Sequence, residues 1–346
     1  MPTRKKLTID EIARLAFVSR SVVSRVLNHH PKVSDEARAR VLKVIEEHHY
    51  VPSSVARSLA TDRTFEICVI TPRRKDESIA NGFWPLLHLG ISERSIERGY
   101  FVSLSLISAE TAEAINDRIL NGRVFDGYIL ITQEVTDLVI PALQGRNVPL
   151  VLIGRDPDHP HISSIDVDNL DGAYKATAHL IGMGHRRVAA ILGNMHLSET
   201  VDRLEGYRRA LADAGLEPDD SLIAVGNYSE KTGFDVMQGW LDQGEPPRAV
   251  FCASDAIATG ALLALYKAGL AVPDAVAVVG FDDVPGARYT APPLTTIHQP
   301  IYEKGEQAAD IIIDQIEGRR RDVVHARLPA ELVVRESCGA GLAESR

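Results

Sequence analysis

Five residues between positions 20 and 28 are of the types that read nucleic-acid bases. Arg20, Ser21, Ser24, Arg25 and Asn28 share one face of a helical repeat, while Val22, Val23, Val26 and Leu27 occupy the other. Arginine, serine and asparagine pair with base edges in the major groove of DNA. Polar outer faces also occur on small three-helix domains of other kinds, so packing alone is the competing explanation. A second group of chemistry-bearing residues follows apolar runs farther along. Arg155 and Asp156 follow Gly154; Glu199, Asp202 and Arg203 come after Gly193; Asn227 and Tyr228 follow Gly226. Ser254 and Asp255 end one run, Phe281, Asp282 and Asp283 another, and Asn81, Phe83 and Trp84 lie ahead of a long helical pattern. Carboxylates, an arginine and aromatics converging on one crevice suit a polyhydroxylated ligand, with charged groups on the hydroxyls and rings on the apolar face. Each acid has a plain alternative, and Asp255 in particular is equally placed to cap the next helix.

The elements needed to position these residues are legible in the pattern. Thr8 with Glu11 has the spacing of a capping box ahead of a first helix carrying Ile9, Ile12, Ala13, Leu15 and Ala16. Phe17 and Val18 make a tight turn, and Ser19 caps the helix that bears Arg20. Ser34, followed by Asp35 and Glu36, begins a third helix with Ala37, Val41, Val44 and Ile45 as its packing stripe. His48 and His49 close that helix as solvated residues. Pro52 stops it, and residues 52–60 form a short segment that needs a partner to stay helical.

From Phe65 the texture changes. Strand-like runs at 65–70, 101–107, 127–132, 149–154, 162–168, 187–193, 221–226, 249–254 and 276–283 alternate with helical stretches near 85–98, 110–121, 135–146, 170–183, 200–214, 230–243 and 255–268. Such alternation specifies βαβ units and parallel sheets, and the run is long enough for two doubly wound subdomains. Ligands of such folds sit beyond the carboxyl ends of the strands.

Charge is divided unevenly. Residues 1–64 hold 12 Lys+Arg against 7 Asp+Glu, a balance of +5, which leaves −14 for the rest of a 346-residue chain whose net charge is −9. Only the basic head is suited to a polyanion. Three distant cysteines, Cys68, Cys252 and Cys338, fit free thiols in a reducing compartment. The N-terminal residues contain no apolar segment of the secretory type, and no run is long enough to span a membrane. The expected location is therefore the cytoplasm. No G-x-G-x-x-G, Walker or nucleophile-elbow motif occurs, so neither an enzyme nor a cofactor is expected, and no metal site.

These residues together resemble the LacI/GalR family of bacterial transcription regulators. The resemblance rests on VSRSVVSRVLN (18–28), VSDEARARVLKVIEE (33–47), YVPSSVARSL (50–59), DVDNLDGAYKATAHLIGMGHRRVAAILG (166–193), DRLEGYRRAL (202–211), VVGFDD (278–283) and PPLTTIHQP (292–300). It implies a small all-α helix-turn-helix DNA-binding domain (1–49) and a hinge helix (50–62). An α/β periplasmic-binding-protein-like core of two doubly wound subdomains follows: 63–164 plus 298–326, and 165–297 plus 327–340, before a tail at 341–346. The implied function is a repressor of a pseudo-palindromic double-stranded operator, working as a homodimer and controlled by a small effector, most simply a sugar. A sugar-binding protein without a regulatory role and a corepressor-dependent, purine-type regulator are the alternatives.

By the same resemblance Arg20 and Ser21 read bases, Arg25 is a further reader, and Leu59 with Ala56 wedges the minor groove. Ser19, Ser24 and Asn28 complete the DNA set. Arg203 and Asp282 are implied to bind the effector and Tyr228 to stack on it. Asn81, Phe83, Trp84, Arg155, Ser254, Asp255, Phe281 and Gln299 complete that set. The chain departs from the family pattern at Phe17, where glycine is usual, at Gly82, where proline is common, and at Ser254, where asparagine is common. No leucine heptad follows ELVVRESCG, so the tetramer tail of some members is not expected.

Overall fold

The computed structural model describes residues 7–27, 31–48, 50, 63–72, 82–107, 124–131, 139–141, 143 and 148–340. Asn28, Ala56, Leu59 and Asn81, hinge residues 51–62, the expected helix at 110–121, most of that at 135–146, and the 341–346 tail lie outside these residues. The chain divides into two units, Met1–Thr64 and Phe65–Arg346.

The first unit contains α1 (Ile9–Leu15), α2 (Arg20–Leu27) and α3 (Asp35–Glu47). The capping box is complete. Thr8 Oγ1 accepts from the Glu11 amide at 3.3 Å, and the Glu11 carboxylate accepts from the Thr8 amide at 2.7 Å. Ser19 and Ser34 accept from the Val22 and Ala37 amides in the same way. Ile12, Ala13, Ala16, Val23, Val26, Val41 and Val44 form the small core. Phe17 turns the chain with φ of 55° and leaves its ring 85% exposed. The turn therefore takes the left-handed backbone that favours glycine, with phenylalanine in place.

The second unit holds two six-stranded sheets. In chain order its elements are β1 (Glu66–Pro72), α4 (Phe83–Glu97), β2 (Phe101–Ile107), β3 (Gly127–Ile131), β4 (Leu150–Ile153), β5 (Ser163–Val167), α5 (Asn169–Gly182), β6 (Val188–Leu192) and α6 (Ser198–Asp213). Then come β7 (Ile223–Val225), α7 (Glu230–Asp242), β8 (Ala249–Cys252), α8 (Asp255–Lys267), β9 (Ala277–Asp282), β10 (Thr295–His298), α9 (Ile301–Ile316), β11 (His325–Leu328) and β12 (Glu331–Val333). The first sheet runs β11-β5-β4-β3-β1-β2 with every pair parallel. The second runs β12-β10-β9-β8-β6-β7, parallel except where β12 pairs antiparallel with β10.

Alternate residues of the first sheet serve opposite faces, as the period of a strand requires. Ile67, Val69, Ile129, Ile131, Val151 and Ile153 pack under α4 and α9, whereas Cys68, Ile70, Tyr128, Leu130 and Leu152 enter the core on the other side. The second sheet is buried on both faces within one larger core.

The chain crosses between the sheets three times: after β5, after β10 and after β11. The expected borders at 164/165 and 326/327 fall inside β5 and β11. Both strands continue in the first sheet, β5 to Val167 and β11 to Leu328, because the two pair with each other across Ser164–Val167. Residues 221–226 are also less regular than expected: a 3-10 turn, Asp220–Leu222, leads into the three-residue β7. Among the described residues no helix is long and apolar enough to cross a membrane.

Candidate functional site

On the helix-turn-helix unit, Val23 and Val26 are buried while Arg20, Ser21 and Arg25 are exposed. Ser24 is half-buried. The Ser21 hydroxyl lies 2.8 Å from that of Ser19. Arg20 has Asp10 at 3.9 Å with both side chains about two-thirds exposed, a pair weak enough to be exchanged for another acceptor. α2 thus offers two arginines and a serine on an open face.

In the second unit, the carboxyl ends of both sheets meet at a cavity of about 700 Å³, its open mouth included. Phe83 and Trp84 reach it from the first turn of α4, Ile131, Ile153 and Gly154 from the ends of β3 and β4, and Asp166 from β5. Glu199 and Arg203 come from the start of α6, Tyr228 from the loop after β7, and Asp282 from the end of β9. Ser254 sits beneath α8, and Gln299 and Lys304 flank the start of α9.

Two glycines shape this lining. Gly82 ends the approach to α4 at φ of 94°, a conformation that proline, fixed near −65°, cannot adopt. The departure from the family pattern here is therefore part of how Phe83 and Trp84 are presented. Gly193, at the end of β6, leaves room for the Tyr228 ring, whose atoms lie 2.5 Å from where a Cβ would be.

Arg203 is the best-fixed cation. Its Nε donates to Asn169 Oδ1 at 3.0 Å, and Nη1 donates to the Ala253 carbonyl. Its guanidinium lies 3.7 Å from the centre of the Phe281 ring, with Asp282 at 3.9 Å. Lys304 donates to Gln299 Oε1 at 2.7 Å, and Gln299 Nε2 donates to Asp282 Oδ1 at 2.6 Å. Asp282 holds φ of 118°, strained for a non-glycine residue at the lip of the cavity. Tyr228 shares a hydrogen bond with Thr200 at 2.8 Å.

Burial dominates the electrostatics. It raises the Asp166 carboxyl and raises Asp282 to about 6, although Arg203 opposes the latter shift. Burial and then the neighbouring charge of Asp166 raise Glu199 to about 7. Lys304 is lowered by burial despite Asp166 nearby.

Three expected ligand residues do not line the cavity. Arg155 pairs instead with Asp202 on α6 at 2.7 Å and lines a neighbouring groove. Asp255 points back into the second sheet, where it accepts from the Val284 amide at 2.9 Å and from the Thr296 hydroxyl at 2.5 Å. Phe281 is fully buried and supports the guanidinium of Arg203 from beneath. Ser254 reaches the lining but also caps α8, accepting from the Ile257 amide. Glu199, named among the residues after Gly193 but outside the set the resemblance implies, does line the cavity. Asp166 and Lys304 were missed, and nothing local marks Lys304. Among the described residues, no group of three or more His, Cys, Asp or Glu is placed to hold a metal ion.

Comparison with known proteins agrees with both units. Residues 8–53 match the bacterial regulatory proteins of the lacI family, and residues 177–338 match the periplasmic binding protein-like domain. The HTH-type transcriptional regulator CelR of Thermobifida fusca is 36% identical over 97% of this chain and 100% of its own length. A solved CelR-cellobiose complex has a TM-score of 0.75 at 34% identity, covering 96% of this chain and all of that one. A Lac repressor dimer bound to operator and the anti-inducer ONPF has a TM-score of 0.83 at 28% identity, covering 96% and 99% of the two chains. With a helix-turn-helix unit, a two-sheet core and a full-length relative at this identity, the chain belongs to the LacI family of bacterial regulatory proteins.

Proposed function

We propose that the protein is a homodimeric transcriptional repressor whose hold on a pseudo-palindromic operator is set by a sugar bound between the two sheets. The observation that carries this reading is the cavity lining. Phe83, Trp84 and Tyr228 supply ring faces, and Asp166, Glu199, Asp282, Arg203, Gln299 and Lys304 supply donors and acceptors around the same space. Rings for an apolar face and bidentate groups for vicinal hydroxyls are what a saccharide requires.

Arg20, Ser21 and Arg25 read bases, with Ser19, Ser24 and Asn28 alongside, and Leu59 and Ala56 act at the operator centre. The protein works in the cytoplasm without a cofactor and catalyses no reaction; the sugar is its signal. A relative solved as a cellobiose complex and another bound to operator make a sugar and a duplex the natural first probes.

The test is operator binding by the full chain, followed by fluorescence anisotropy on a labelled duplex library with and without cellobiose, glucose and ribose. Binding should prefer one half-site repeat, weaken steeply with salt as phosphate contacts require, and change at least tenfold with one sugar. Release marks an inducer and tightening a corepressor. Binding that ignores both sequence and every sugar would refute the reading.

A further inference from the structure

Among the described residues, the cavity contains one buried polar side-chain atom that the protein itself leaves unsatisfied. Glu199 Oε2 is buried and has no hydrogen-bond partner, although it lines the ligand space. Each of the other charged groups there already has partners. Lys304 donates to Gln299, Asp282 accepts from Gln299, Asp166 accepts from the Val167 amide and from Asn169, and Arg203 is held by Asn169, Ala253 and Phe281. A buried acceptor without a donor is costly, and a bound molecule that supplies the donor recovers that loss.

We infer that Glu199 is the specificity residue of the cavity: it accepts a hydroxyl or amino hydrogen from the effector and excludes anionic effectors such as sugar phosphates and sugar acids. The inference rests on the small-ligand reading given above and adds the chemical class. An anion entering here meets three carboxylates, Asp166, Glu199 and Asp282, against two cations, Lys304 and Arg203, each already hydrogen-bonded to an oxygen of the protein. A neutral polyol meets an acceptor waiting for it.

The groups facing Glu199 are Asp166 from β5, Asp282 from β9, Lys304 from α9, Tyr228 after β7 and Arg203 one turn along its own helix. Burial and Asp166 place the Glu199 carboxyl near neutrality, at about 7, so the acceptor becomes fully ionised only as pH rises through that value. Affinity for a neutral donor should therefore increase from pH 6 to pH 8.

The experiment is titration calorimetry on the full chain with matched pairs: glucose against glucose 6-phosphate, ribose against ribose 5-phosphate, and cellobiose against cellobionate. Adenosine serves as a neutral donor that is not a simple sugar. The wild type should bind a neutral member and reject its anionic partner by roughly a hundredfold. Glu199→Gln should weaken the neutral ligand roughly tenfold, narrow the gap to the anion, and flatten the rise in affinity between pH 6 and pH 8. Glu199→Asp, which keeps the charge on a shorter stem, should retain the pH dependence and the rejection of anions.

If Glu199→Gln binds the neutral sugar as well as wild type and still rejects the anion, the inference is overturned while the sugar reading stands. Preference of the wild type for an anionic member also overturns it. If adenosine binds in place of the sugars and loses affinity in Glu199→Gln, the sugar reading falls and the inference holds. Binding of no probe overturns both.

Discussion

Phe17 and Asp255 show how far a single residue can be read. The spacing of the helix-turn-helix points to a turn at Phe17, and the turn does take a left-handed backbone with the ring exposed. A non-glycine residue there costs about 1–2 kcal/mol, against which glycine gives back part through its greater freedom when unfolded. Phe17→Gly should therefore stabilise the headpiece by roughly 0.5–1 kcal/mol, read as slower amide exchange in α1 and α2 of the full chain. Faster exchange would mean that the ring supports the headpiece by a contact the backbone argument ignores. Asp255 went the other way. Its position after β8 suited either a ligand or a cap, and the structure gives it neither role. Its carboxyl joins Val284 to Thr296, buried and raised well above the usual carboxylate range by desolvation and by Asp282. Asp255→Ala should cost about 2–3 kcal/mol in a urea melt, because it strands a buried amide and a hydroxyl. Asp255→Asn, which can accept from Val284 and donate to Thr296, should cost much less. Equal losses in the two variants would point to packing volume rather than hydrogen bonding.

At the scale of elements, what the sequence revealed depended on whether the determinants were local. The strands from 66 to 107 and the run from β5 through β9 carry β-branched or alternating apolar residues and helices of ordinary length, so their pattern alone located them. Four elements escaped: β10, α9, β11 and β12. Their strands are only three or four residues long, and two of them, β11 and β12, are edge strands with exposed positions. Such segments carry little periodic signal and form because the neighbouring edge is already in place. The same distinction holds within the cavity. Residues at strand ends, such as Tyr228, Ser254 and Asp282, were anticipated from the rule that ligands gather there. Lys304 was not, because it lies on the helix that recrosses to the first sheet, and only the crossover after β10 brings it to Asp282 through Gln299. Arg155 obeyed the strand-end rule yet was captured by Asp202 on α6, a partner no local pattern names.

At the scale of the whole molecule, the question is which side chains couple the cavity to the operator and which merely border it. Ligand control of DNA affinity requires the ligand to interact differently with two states of the protein, and its coupling cannot exceed that difference. Arg203 is placed to contribute strongly. It is about 5% exposed, starts from α6 of the second sheet's subdomain, and is fixed to α5, β8 and Asp282 around the bound space. Arg155–Asp202 joins the two subdomains, but its partners are 42% and 24% exposed, so screening limits it to about 1 kcal/mol or less. Arg203→Lys keeps the charge and removes the planar fork that meets Asn169 and Ala253 together. It should bind operator with near wild-type affinity while the sugar concentration needed for half response rises at least tenfold. Arg155→Ala should shift that concentration by less than about fivefold, the ceiling a screened pair sets. Both are measured by operator anisotropy across a sugar titration, with a thermal melt of each variant to confirm the fold. If Arg155→Ala abolishes the response while Arg203→Lys leaves it intact, the coupling runs through the rim of the cleft rather than its floor.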